Sequence, residues 1–101
     1  MSDVSCWVRV VNKKGLHARA SGKFARLAGT FQSDIRVTHD GESANGTFIM
    51  DLLMLGAHMG TEIQIAASGD DADIALAALI DLVEGGFGEL AEDNDVPGAA
   101  S

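Results

Sequence analysis

The sequence predicts a single α+β domain in which helices cover one face of a sheet. Three observations carry this expectation: apolar segments of period 2 alternate with segments of period 3.6, a two-residue turn joins the middle strands, and glycines close the helical stretches. At 101 residues, with 47% apolar and 22% charged side chains, the chain has the length and composition of one folded domain.

Residues 6–11 open the pattern, with Cys6, Val8 and Val10 on one face and Trp7 and Arg9 on the other, as in a half-buried strand. Residues 12–16 hold two lysines and Gly15 and read as a loop. A helix over 18–28 follows, carrying Ala20, Phe24, Leu27 and Ala28 at helical spacing and stopped by Gly29. Residues 34–39 alternate again, Ile35 and Val37 against Arg36 and Thr38, and Asp40-Gly41 is a hairpin signal into a third strand over 42–45.

Gly46-Thr47 introduces a short helix over 48–55, which Thr47 is expected to cap and whose apolar residues run all round. A fourth strand spans 61–67 with Ile63 and Ile65 inward. The final helix places Leu76, Leu79, Ile80 and Val83 at i, i+3, i+4 and i+7 and ends at Gly85-Gly86. Beyond this the acids, Pro97 and small residues cannot bury enough surface to order themselves, so the domain is expected to cover 1–87 and a flexible acidic tail 88–101. The order β-α-β-β-α-β-α leaves strand order open, because ferredoxin-like folds share its first six elements.

A net charge of −8 argues against nucleic acid, which calls for a basic face. All seven Lys and Arg lie at or before Arg36, while thirteen of the fifteen acids follow it, which suggests a locally basic site on an acidic body. The lone Cys6 excludes an internal disulfide and a cysteine zinc site, which fits a reducing cytoplasm. No run approaches the ~18 apolar residues of a membrane span, so no membrane insertion is expected.

Gly15-Leu16-His17-Ala18-Arg19-Ala20 places a histidine where a helix begins, a position that Ser, Asp or Asn caps better. A phosphoryl group on the imidazole would meet the first-turn amides of Ala18 and Arg19 at the positive end of the helix dipole. The Arg19 guanidinium offers paired donors to phosphate oxygens, while Lys13, Lys14, Lys23 and Arg26 add positive charge. The same cations favour neutral, nucleophilic imidazole. The plain alternative is that His17 is a loop histidine and Arg19 a solvated surface residue. His39 and His58 have no metal-ligand spacing, so they read as surface residues and neither metal nor cofactor is expected. Ser21 with His17 lacks a third orienting acid and makes a weak hydrolytic pair.

The run Asn12-Lys-Lys-Gly-Leu-His17-Ala-Arg19-Ala20-Ser21 resembles the phosphohistidine motif of the histidine-containing phosphocarrier family (HPr) of the bacterial phosphoenolpyruvate-dependent phosphotransferase system. The resemblance extends without gaps from Val8 to Phe87 and takes in Asp40-Gly41, Gly60-Thr61 and Gly69. It implies an open-faced β-sandwich: three helices on one face of a four-stranded antiparallel sheet, order 1-4-2-3. It further implies a stoichiometric carrier without turnover of its own. Such a carrier takes phosphate from enzyme I on the δ1 nitrogen of His17 and gives it to a histidine of a IIA-type protein. A monomer is expected. Arg19 matches the family's arginine beside that ring.

Two positions depart from the family pattern. The proline that often follows the arginine is Ala20 here, expected to leave the surface open for docking. Phe48 stands where many members carry a kinase-regulated serine, so no regulation is expected there, with Thr47 the nearest hydroxyl. Leu52 and Leu55 read as core, and the resemblance assigns Ile49, Met50 and Leu53, with Ala20, Lys23 and Arg26, to the partner surface. Two other readings stand beside this one: a regulatory nitrogen-branch carrier, which Leu52-Leu-Met-Leu55 and Gly86-Phe87 somewhat resemble, and a ferredoxin-like small-molecule module in which His17 is incidental.

Overall fold

In the computed structural model, which describes residues 2–91, a β-strand β1 (Ser2–Arg9) leads into helix α1 (Ala18–Ala28). There follow the hairpin β2 (Asp34–His39) and β3 (Glu42–Asn45), helix α2 (Ile49–Met54), strand β4 (Glu62–Gly69) and helix α3 (Ala72–Glu84), closed by a 3₁₀ turn at Gly86–Gly88. The strands form one antiparallel sheet in the order β1-β4-β2-β3. The three helices cover one face and leave the other open, an α+β open-faced sandwich as expected. Trp7, opposite Gln64 in the register, is 55% exposed on that open face.

The core follows from the alternation. Val8 lies opposite Ile63 and Val37 opposite Ile65, all four buried under Phe24 of α1, Leu52 of α2 and Leu79 and Val83 of α3. Full burial of each such side chain stabilises the fold by about 1.5–3 kcal/mol, so this layer fixes which face the helices cover. Leu76 and Ile80 pack on it partly buried.

Asp40 and Gly41 both adopt left-handed backbone, at φ 50° and 83°, as a type I′ hairpin turn requires. Strand β1 begins four residues earlier than its alternation suggests. Ser2 to Ser5 pair with Gly69 to Ala66 through the main-chain ladder, with Val4 the one apolar side chain among them packed on the core. The cap expected from Thr47 is not formed. Phe48 occupies the N-cap of α2 without a side-chain bond, and the Thr47 hydroxyl donates instead to Asn45 Oδ1 at 2.7 Å. Asn45 Oδ1 also accepts the Thr47 amide, so the asparagine shapes the entry turn.

Candidate functional site

His17 is the N-cap of α1, in extended conformation, and its carbonyl accepts the Ser21 amide at 2.8 Å as the helix's first bond. The loop before it is fixed from three directions. The Leu16 amide donates to Ala57 O at 2.9 Å, the Ser21 hydroxyl to Leu16 O at 3.0 Å, and Asn12 Nδ2 to Gly15 O at 2.9 Å. Gly15 has φ +62°, and a Cβ there would lie 2.8 Å from His58 Cα, so only glycine lets this loop close against the α2–β4 connection. Ser21 is buried and its hydroxyl serves the loop.

The other half of the site comes from the end of α3. Gly86, Phe87 and Gly88 are left-handed in succession, at φ 64°, 57° and 77°, and turn the chain back toward α1. A phenylalanine in that region costs about 1–3 kcal/mol, offset here because its ring is fully buried. Lys23 Nζ donates to Phe87 O at 2.7 Å and ties the turn to α1. Glu89, the residue after Gly88, thereby reaches His17. Its Oε2 lies 2.6 Å from His17 Nε2 and 3.7 Å from Arg19 Nε, and its Oε1 accepts from Asn12 Nδ2 at 3.0 Å.

Glu89 is 2% exposed, whereas His17 is 22% and Arg19 50% exposed. Burial pushes the Glu89 carboxyl up, but the hydrogen bonds from Asn12 and His17 and the charges of His17 and Arg19 outweigh it, and the group is held below its ordinary value. The purely cationic surroundings expected for His17 are therefore answered by one buried anion.

Composition alone assigns Glu89 to the acidic tail, whereas the structure places it at His17. Its position among the described residues moves the folded segment past 88, and residues 92–101 of that expected tail lie outside them. The signal for it was Gly85-Gly86-Phe87-Gly88, a large apolar residue among glycines, which marks a buried turn rather than a solvated end.

The remaining candidates fall in several places. Ala18 is exposed on the first turn of α1, and Arg26 exposed further along it. Ala20 is fully buried in the core, because its helix position faces the sheet, so it cannot itself offer docking surface. Lys23 is half-buried and its ammonium holds the terminal turn. Ile49, Met50 and Met54 are 44%, 68% and 81% exposed along α2, Leu53 is half-buried, and Leu52 and Leu55 are buried. Phe48 is 55% exposed. Ile49 Cδ1 faces Gly22 of α1, which joins this apolar surface to the helix that His17 begins. His39 is half-buried, its Nδ1 2.9 Å from Leu55 O, and His58 is exposed. Among the described residues there is no group of three His, Cys, Asp or Glu able to hold a metal, and no helix long and apolar enough to cross a membrane.

A histidine at a helix start, flanked by an arginine, is suited to carry an anion on its ring, while the buried Glu89 carboxylate holds that ring from Nε2. The family model described as the phosphotransferase-system HPr component phosphorylation site matches residues 4–85. The chain belongs to the HPr family. The HPr phosphocarrier of Neisseria meningitidis is 46% identical over 82 residues, covering 81% of this chain and 92% of the relative. The NPr phosphocarrier of Shewanella violacea is 39% identical over 89 residues, covering 88% and 98%. Among solved structures, HPr from Thermoanaerobacter tengcongensis superposes with a TM-score of 0.79 at 39% identity, covering 88% of this chain and 98% of that one. An HPr from the same organism has also been solved as a dimer, with a TM-score of 0.69 at 40% identity. HPr and NPr relatives alike are phosphocarriers, and this chain shares their class.

Proposed function

We propose that this HPr-family chain accepts a phosphoryl group from enzyme I on Nδ1 of His17 and donates it to a histidine of a IIA-type protein. It would act as a cytoplasmic monomer that carries phosphate without turning anything over itself. The observation that supports this best is His17 at the N-cap of α1, partly exposed, with Arg19 two residues along the same turn. After transfer the phosphate oxygens would be held by the first-turn amides of Ala18 and Arg19 and by the Arg19 guanidinium, at the positive end of the helix. A shallow site suits a carrier, because tight stabilisation of the phosphorylated form would slow its discharge. The apolar surface of exposed Ile49 and Met50 and half-buried Leu53, with Lys23 and Arg26, is the docking face in this reading.

Incubation with enzyme I and phosphoenolpyruvate should put one acid-labile phosphate on the chain, and His17→Ala should abolish it. Labelling that persists in the variant would refute the assignment. The NPr relatives, at 39% and 40% identity, favour a second reading in which the phosphorylation state is read by regulatory partners of a nitrogen branch. Competition between sugar-branch and nitrogen-branch IIA proteins for phosphate from the labelled chain separates the two.

A further inference from the structure

We infer that Glu89 is a positioning residue that selects which ring nitrogen of His17 is the nucleophile: it takes the hydrogen on Nε2 and leaves the Nδ1 lone pair free to attack phosphorus. The inference rests on the phosphocarrier reading above. An ionised carboxylate has no hydrogen to donate, so a contact of 2.6 Å between Glu89 Oε2 and His17 Nε2 requires the hydrogen on Nε2. Neutral imidazole carries a single N–H, so Nδ1 must then be bare.

The carboxylate cannot turn away from this task. Its other oxygen is taken by Asn12 Nδ2, and that amide group also donates to Gly15 O. Reversing the Asn12 amide would set Oδ1 against two acceptors, so its orientation is determined by the network. Asn12 is itself fully buried, and the Lys23 bond to Phe87 O holds the turn that delivers Glu89. The order of support is therefore Asn12 to Glu89 to His17, a buried amide fixing a carboxylate that fixes a ring.

During transfer the Nδ1–P bond forms while the bond from phosphorus to the donor's leaving atom breaks, and that atom departs with the electron pair. The Nε2 hydrogen stays in place. The positive charge that develops on the ring is shared by Nε2–H, which faces the Glu89 carboxylate, so the interaction strengthens as the new bond forms.

The test begins with the unmodified protein. A long-range 1H–15N spectrum of the His17 ring, taken above the ordinary imidazole range (~6.5), should show hydrogen on Nε2 and a bare Nδ1. Glu89→Gln keeps the shape. Because Asn12 continues to need an acceptor, the glutamine carbonyl stays on its side and the NH₂ faces His17, which should move the ring hydrogen to Nδ1. The rate of phosphoryl uptake should fall about 10²–10⁴-fold, as for wrong-tautomer or outer-shell variants elsewhere. Glu89→Ala should instead relax the ring to a mixture of tautomers. Hydrogen on Nδ1 in the unmodified protein overturns the inference. So does a Glu89→Gln variant with tautomer and rate both unchanged. Absence of phosphate on His17 in the unmodified chain would overturn the phosphocarrier reading itself. The ring spectrum needs no donor, so the two failures are distinguishable.

Discussion

Glu89 and His17 are 72 residues apart in sequence and 2.6 Å apart at their side-chain ends. The contact depends on a left-handed turn at the end of α3 and on Asn12, so the ring's environment is assembled from both ends of the fold. Perturbations at these supports should register at the ring.

Asn12→Ala removes the donor to Glu89 and to Gly15 O at a fully buried position. It should lower unfolding stability by about 1–3 kcal/mol, the cost of leaving buried polar groups unpaired. Urea denaturation measures this. A loss below a few tenths of a kcal/mol would show that water replaces the amide without penalty.

Met50→Lys should separate binding from folding. Met50 is 68% exposed on α2, so stability should change by no more than about 0.5 kcal/mol. Steady-state phosphoryl transfer should nevertheless show a KM for the partner raised about tenfold, as loss of one well-placed interface side chain produces. An unchanged KM would remove Met50 from the docking face.

Acid should weaken the fold through Asp71. Its side chain accepts from the Ser33 hydroxyl at 2.5 Å, from the Gln32 amide at 2.8 Å and from the Ser33 amide at 2.9 Å. The Ser33 hydroxyl first, then the Gln32 amide, holds the carboxyl below its ordinary value. A carboxyl lowered on folding contributes stability that is complete above its unfolded value and is lost as pH falls through the folded one. Urea midpoints should therefore be flat near neutrality and drop below about pH 4, with Glu89 adding in the same direction. Asp71→Asn should be less stable at neutral pH and show a shallower acid slope; parallel curves would assign the acid limb to other groups.

Incubation with ATP and the family's serine kinase should leave the peptide spanning Thr47 and Phe48 unmodified. Phe48 has no hydroxyl, and the Thr47 hydroxyl is already engaged by Asn45 Oδ1. Peptide mass mapping reads the outcome directly, and phosphate on Thr47 would reverse the expectation.

Most of the fold was legible because strands and helices bury one face and write that face into the sequence at period 2 or 3.6. The Asp40-Gly41 turn and the start of α1 at His17 were legible for the same local reason. Ser2 to Ser5 were not, since their place in β1 comes from main-chain pairing with β4. Neither was the burial of Ala20, a small residue whose orientation is fixed only by the packed helix. Glu89 is the instructive case. Glycines stand before it and a run of acids begins at Glu92, composition that signals a solvated end, and its partner lies far off along the chain. Only the packing of Phe87 turns that composition into a site.

The bond from Lys23 to the Phe87 carbonyl makes the end of α3 a working part rather than a margin. A shortened version stopping at Glu84 would lose both the fully buried Phe87 and the carboxylate that faces His17. For anyone engineering this domain, the residues through Glu89 belong to the site and have to be kept.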